Sequence, residues 1–283
     1  MQYKYPAVLT IAGSDSGGGA GIQADIKTIA ALGCYATTAI TAITVQNTLG
    51  VTGIHDIPPA IVRDQIQAVM EDIAPVAVKT GMLHTPALAL AVAEALRKWP
   101  QVPVVLDPVM VATSGDRLIQ EETIEILKTQ LFPLATVITP NLDEVAVLTG
   151  IQVRDVSSMR EAAARLLQTR CQAVLIKGGH LPGKKMYDVL LQQNGEFLLL
   201  EADYVPGNNV HGTGCTMSSA IAAYLAQEQT LATAVSNAKA YITAAIAAGA
   251  DVVTGKGHGP LNHFYKPVPT IKYEMERTSL AGY

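Results

Sequence analysis

Short runs rich in Val, Ile, Leu and Ala alternate along the chain with stretches in which apolar positions recur every three or four residues. The first pattern marks strands buried on both faces, and the second marks helices with one apolar side. "AVLTIAG" (7–13), "YATTAITAITV" (35–45), "VAVKTGM" (76–82), "VPVVLDPV" (102–109), "TVITP" (136–140) and "QAVLIKGG" (172–179) predict strands. Helices are predicted over 20–33, 59–72, 86–98, 120–131, 142–149 and 157–170. This alternation predicts an α/β fold of three layers, a mostly parallel central sheet with helices on both faces. The order changes after residue 180. "YDVLLQQNGEFLLLEADYV" (187–205) predicts two strands turning at Asn194-Gly195, which puts an antiparallel edge on the sheet. Residues 213–250 are Ala-rich and helical, and no break in composition or internal repeat divides the chain. One domain over 1–267 and a loosely held tail over 268–283 are expected.

Composition narrows the partners. The 283 residues are 49% hydrophobic and 16% charged, with a net charge of −4, so neither nucleic acid nor an anionic membrane is drawn by a general field. An anionic ligand must be held by local groups. Cys34, Cys171 and Cys215 are widely separated, with no CxxC, which argues against a disulfide framework or a structural zinc. The N-terminal apolar run is too short for a signal peptide, no apolar run reaches spanning length, and a cytoplasmic protein is expected.

Glycine turns after predicted strands are where a doubly wound sheet holds ligands. "GAGIQA" (19–24) fits a dinucleotide fingerprint, but the second strand ends "TVQNTLG" without the carboxylate such a site needs. "GGHLPGKK" (178–185) approaches a P-loop, yet Lys185 stands in place of the hydroxyl and a strand follows where a helix is required. "GKGHGP" (255–260) has no helix after it and reads as a surface turn. "HGTGCT" (211–216) is different. Gly212, Thr213 and Gly214 can turn their amides inward, and the positive end of the helix that follows adds to them, which suits charge on a transferring phosphoryl group. Cys215 lies in that field, where a thiol's pKa is expected to fall so that some thiolate exists near neutral pH. Burial as a small hydrophobe is the alternative. The histidines, His180 and His211 among them, are scattered without metal-ligand spacing, and His211 is expected to tune the turn.

"AGSDSGGGAGIQADIKT", "DPVM", "TPNLDE", "IKGGH" and "HGTGCT" occur in this order, and together they resemble the bacterial hydroxymethylpyrimidine/phosphomethylpyrimidine kinases of thiamine biosynthesis, in the ribokinase-like superfamily. The resemblance covers about residues 7–265. It implies transfer of the γ-phosphoryl of ATP, with Mg2+, to a hydroxymethylpyrimidine and then to its monophosphate, by a homodimer. Transfer of this kind rests on positioning and charge neutralisation. The resemblance makes the 212–215 amides and Cys215 catalytic, with Cys215 as proton acceptor and not covalent nucleophile. It assigns metal and phosphate contacts to Asp107, Asn141 and Glu144, although "TPNLDE" also fits a helix capping box. Lys177 at a strand end and Lys239 on the last helix are the cations for the phosphates and nucleotide; a solvated strand-end lysine is the alternative for Lys177, and Lys239 could equally be a solvated helix lysine. Gly13, Asp25, Gln46 and Met82 are implied for the ring, Gln46 because an amide both donates and accepts. Asp25 could instead be an ordinary first-turn helix carboxylate.

Three other functions fit parts of the pattern. A pyridoxal or pyridoxine kinase would use the same fold on a similar ring. A cysteine hydrolase or acyltransferase would need a histidine beside Cys215. A non-catalytic ligand sensor would keep the ring site and lose transfer, which the joint presence of Asp107, Glu144, Lys177 and the glycine turn opposes.

Overall fold

The computed structural model describes residues 1–110, 119–179 and 185–275. In the first half, β1 (Tyr3–Lys4), β2 (Ala7–Asp15), α1 (Gly21–Ala31), β3 (Tyr35–Asn47), β4 (Gly50–Asp56), α2 (Pro59–Asp72), β5 (Ala77–Thr80), α3 (Pro86–Leu96) and β6 (Val104–Leu106) follow in order. Then come α4 (Glu121–Ile126), continued by a π-helical turn at Leu127–Leu131, and β7 (Val137–Ile138), α5 (Leu142–Thr149), α6 (Val156–Leu167) and β8 (Ala173–Gly178). The chain finishes with β9 (Lys185–Gln192), β10 (Phe197–Asp203), α7 (Thr213–Ala226), α8 (Leu231–Gly249) and β11 (Tyr273–Glu274).

Nine strands form one sheet in the order β10-β9-β8-β7-β6-β5-β2-β3-β4. The pairs from β8 to β3 are parallel, whereas β9, β10 and β4 join antiparallel, so both edges carry a hairpin. Continuous burial along β2, β5 and β6 is what apolar runs between two helical layers require. Leu9, Ile11, Val78, Leu106 and Ile138 pack under α2, α3, α5 and α6; Val8, Val105, Val137 and Leu175 pack under α1, α7 and α8. The expected three-layer architecture is what forms.

Two local expectations change. β4 went unanticipated because "GVTGIHD" has two glycines and no apolar run; it pairs along the exposed edge, with an extra residue, Thr52, opposite the Val45–Gln46 step. Residues 268–275, expected to be loose, are tied down: Val268 and Ile271 amides donate to Ala31 and Gly33 carbonyls, and β11 pairs with β1. Residues 276–283 and His180 lie outside the described residues. No described helix is long and apolar enough to cross a membrane.

Caps show which helix ends are closed. Thr85 caps α3, and Asp155 and Asn141 build capping boxes on α6 and α5. α1 and α7 start at Ala20 and Gly212 with no side-chain cap. Both open onto the same space.

Candidate active site

That space is a cavity of about 680 Å³ at the carboxyl ends of the parallel strands. β2, β3, β8, the segments after β5 and β6, and the first turns of α1, α5 and α7 all contribute to its wall. Gly13, Gln46, Met82, Asp107, Asn141, Glu144, Lys177, Lys239 and the whole 212–215 turn line it. Of the residues assigned to the site from sequence, only Asp25 does not.

The 212–215 turn is built so that its amides stay free. Gly212 has φ +85°, and a Cβ there would lie 1.9 Å from the Gly19 carbonyl oxygen, so only glycine fits. The first helical bond runs from the Thr216 amide to the Gly212 carbonyl. Thr213 makes only a long 3.3 Å contact to the Val210 carbonyl, and among the described residues the Gly214 and Cys215 amides make no backbone hydrogen bond. A Cβ on Gly214 would sit 3.2 Å from Lys177 Nζ and 3.3 Å from Asp107 Oδ2, which places the turn directly over those charges.

Asp107, just past β6, accepts hydrogen bonds from Thr139 Oγ1 at 2.9 Å and Lys177 Nζ at 2.8 Å. For Lys177, burial works against the charge, but Asp107 and then Glu144 outweigh it and raise the pKa. Glu144 closes the capping box: its Oε2 accepts from the Asn141 amide at 2.8 Å while Asn141 Oδ1 accepts from the Glu144 amide. The capping role and a place in the cavity wall therefore coexist in both residues. Burial, together with the Asp107 charge, pushes the Glu144 carboxyl up to about 7 against the pull of Lys177. Among the described residues no group of three or more His, Cys, Asp or Glu could enclose a metal. An oxygen-only pair that leaves the remaining coordination to phosphates and water suits magnesium.

Lys239 is not a solvated helix lysine. It is buried, and its Nζ lies 2.6 Å from Asp188 Oδ2, while Asp188 Oδ1 accepts from the Gly178 amide. At the other end, a Cβ on Gly13 would come 2.7 Å from Met82 Cε, so the glycine leaves room for the Met82 side chain against the backbone.

Asp25 corrects the sequence reading. It is fully buried one layer below the cavity, with both oxygens on Lys79 Nζ at 2.8 and 2.9 Å. Thr10 and Ser219 hydroxyls donate to it as well, at 2.5 and 2.7 Å. It is neither a ring contact nor an ordinary first-turn carboxylate. Ser219 lies one turn below Cys215 on α7, so this ion pair underlies the 212–215 turn. The thiol itself also departs from expectation. Although Cys215 is partly open to the cavity, desolvation pushes its pKa up to about 11, against the attraction of Lys79 and helped by Asp25 and Asp107. The helix end does not overcome burial.

Three participants were missed. Lys79 reads as a polar interruption in a strand, and nothing nearby in sequence announces its partner. Asp15 accepts from the Gly17, Gly19 and Ala20 amides and from His211 Nε2 at 2.9 Å, so it folds the glycine loop and pins it to the anion turn. An aspartate just before glycines is the sequence signal for such a turn. The "GKGHGP" turn clamps the β3–β4 connection: Lys256 and Gly257 amides donate to Thr48 Oγ1, each at 3.1 Å.

A model of the phosphomethylpyrimidine kinase family matches residues 15–262. The chain belongs to the phosphomethylpyrimidine kinase family. It is 48% identical to the hydroxymethylpyrimidine/phosphomethylpyrimidine kinase of Rhizobium meliloti, over 91% of this chain and 97% of that one. It is 50% identical to the thiamine biosynthesis bifunctional protein of Geobacter sulfurreducens, over 91% of this chain, and spans about half (52%) of that longer protein. Among solved structures, phosphomethylpyrimidine kinase from Clostridium difficile superposes with TM-score 0.75 at 45% identity, covering 85% of this chain and 99% of that one. An ADP complex of Bacillus subtilis pyridoxal kinase superposes with TM-score 0.84 at 37% identity, covering 92% and 98%. The chain is a phosphotransferase of the ribokinase-like fold.

Proposed function

We propose that the chain transfers the γ-phosphoryl of ATP to the hydroxymethyl group of 4-amino-5-hydroxymethyl-2-methylpyrimidine, and then phosphorylates the monophosphate, in the thiamine pathway of the cytoplasm. One observation carries this reading: a single cavity joins the Gly214 and Cys215 amides, which make no backbone hydrogen bond, beside Asp107 and Lys177 to a wall of Gly13, Met82 and Gln46. Lys177 and the 212–215 amides hold the migrating group, Lys239 supports the nucleotide, and Cys215 takes the alcohol's proton. Asp107 and Glu144 would hold Mg2+, with Asn141 beside them; the ion supplies charge neutralisation on the phosphate oxygens. The Ile43–Val45 face of the β3–β4 hairpin pairs with a second copy in a homodimer.

A cysteine hydrolase finds no support in the geometry. The His211 ring is engaged by Asp15, and a thiol with its pKa pushed up to about 11 is a poor nucleophile near neutrality. A pyridoxal-type acceptor keeps a place through the B. subtilis likeness. Coupled ADP release with each ring compound separates the two. ADP formed with the aminopyrimidine and its monophosphate is expected, dependent on Mg2+. ADP formed with pyridoxal alone would replace the substrate, and no ADP with either would end the kinase reading for this cavity.

A further inference from the structure

Gln46 is the proposed ring contact, and the orientation of its side chain matters only on that reading. The amide can present oxygen and nitrogen in either of two orientations related by a half-turn. The neighbours decide between them. Thr44 Oγ1 lies 2.7 Å from the Ser14 carbonyl oxygen and 3.1 Å from one amide terminus of Gln46. A carbonyl cannot donate, so Thr44's single proton goes to Ser14, and Thr44 is left an acceptor towards Gln46. The amide terminus it meets must be the NH2.

The second neighbour gives the same answer independently. Asp15 is buried, which alone would raise its pKa, but its bonds from His211, Ala20 and Gly17 hold the carboxyl below the usual range. It is therefore an acceptor only, and His211 Nε2, 2.9 Å away, must carry the proton. That same Nε2 is 3.4 Å from the other amide terminus of Gln46. Its one proton goes to Asp15 and is shared with Gln46 only at the longer distance, so the terminus it faces is the amide oxygen and not another N–H. The ring is held flat on the glycine loop, where a Cβ on Gly19 would come 2.4 Å from His211 Cδ2. Backbone restraint completes the arrangement. Ser16 Oγ contacts the carbonyls of Thr44 and Gln46 and accepts from the Gln46 amide, at the step where β4 bulges.

We infer that Thr44 and His211 are positioning residues for ring recognition: they lock the Gln46 side chain with Nε2 on Thr44 and Oε1 on His211. One N–H and one oxygen lone pair then remain for the cavity. A ring that offers a hydrogen-bond acceptor beside a donor, as an aminopyrimidine edge does, is matched by that pair. A ring whose neighbouring groups are both acceptors leaves the amide oxygen unpaired, and such mismatches are where polar pockets discriminate.

Steady-state kinetics of Thr44→Val, Thr44→Ser, His211→Phe and Gln46→Ala, with the KM for aminopyrimidine and for ATP measured separately, test this. Thr44→Val and His211→Phe are expected to raise the aminopyrimidine KM about tenfold, roughly one oriented hydrogen bond. In Thr44→Val the KM for ATP and kcat should stay within about twofold, and Thr44→Ser, which keeps the hydroxyl, should restore wild-type values. An unchanged aminopyrimidine KM in Thr44→Val or His211→Phe overturns the locked orientation, as does an equal rise in both KM values. An unchanged aminopyrimidine KM in Gln46→Ala would instead remove Gln46 as the ring contact, which is the reading underneath.

Discussion

At Cys215 two effects of similar origin oppose each other. The first turn of α7 offers its amides to negative charge, and Lys79 adds an ammonium below, yet desolvation wins and the thiol's pKa rises to about 11. The protonated thiol therefore dominates near neutral pH. If Cys215 takes the proton of the acceptor hydroxyl, only the thiolate fraction works, and below the pKa that fraction rises tenfold for each unit that pH rises. With both substrates saturating, log kcat should climb with a slope near +1 between about pH 8 and pH 10, above the range in which Glu144 titrates. Cys215→Ala should turn over about a hundredfold more slowly and lose the slope. ADP release followed across that range checks both. A flat wild-type profile, or an alanine variant with unchanged turnover, would take the proton acceptor away and leave the amides to do the catalysis.

At the scale of elements, the Lys79–Asp25 pair pins four pieces of structure. Lys79 stands on β5 and Asp25 on α1, while Thr10 of β2 and Ser219 of α7 donate to the same carboxylate. Removing one charge leaves the other buried and unmatched, which costs about 3–5 kcal/mol. Lys79→Met should therefore lower stability by that amount in urea melts. Lys79→Met combined with Asp25→Leu should recover part of it, since two apolar side chains need no partner, although Thr10 and Ser219 lose their acceptor. Equal losses in the single and double variants would mean that the ion pair is not what couples these elements. The same pair shows what sequence could and could not convey. β2, β5, β6 and β8 are legible because two helical layers force unbroken apolar runs, and "HGTGCT" is legible because its glycines and helix start are contiguous. Lys79 was not, because its meaning depends on a carboxylate 54 positions away. Asp25 was misplaced for the same reason: its position in a motif was visible, and its depth was not. β4 escaped because an edge strand needs no apolar run.

For the whole molecule, the hairpin of β3 and β4 couples the outside of the chain to its cavity. Strand alternation sends Thr44 and Gln46 to the cavity side and Ile43 and Val45 to the opposite face. There Ile43 is 42% exposed and Val45 63%, with Leu49 at the turn 65% exposed. Apolar side chains grouped on an edge hairpin are the surface a second copy would cover. Covering them would also stiffen the strand that carries Gln46, so assembly and ring binding should move together. Wild-type chain is expected at twice its 29.8 kDa mass in light scattering, and Val45→Asp with Leu49→Asp should run as a monomer, because two carboxylates facing their symmetry mates repel and lose hydration. That monomer should show a raised aminopyrimidine KM with ATP binding little changed, since the end of the cavity proposed for the nucleotide is lined from α5, α8 and β8. A wild-type monomer, or a double variant that still pairs, would mean that this face is not the interface. A monomer with unaltered aminopyrimidine KM would mean that β3 holds its shape without a partner, through Ser16, Thr48 and the Asp15–His211 clamp alone.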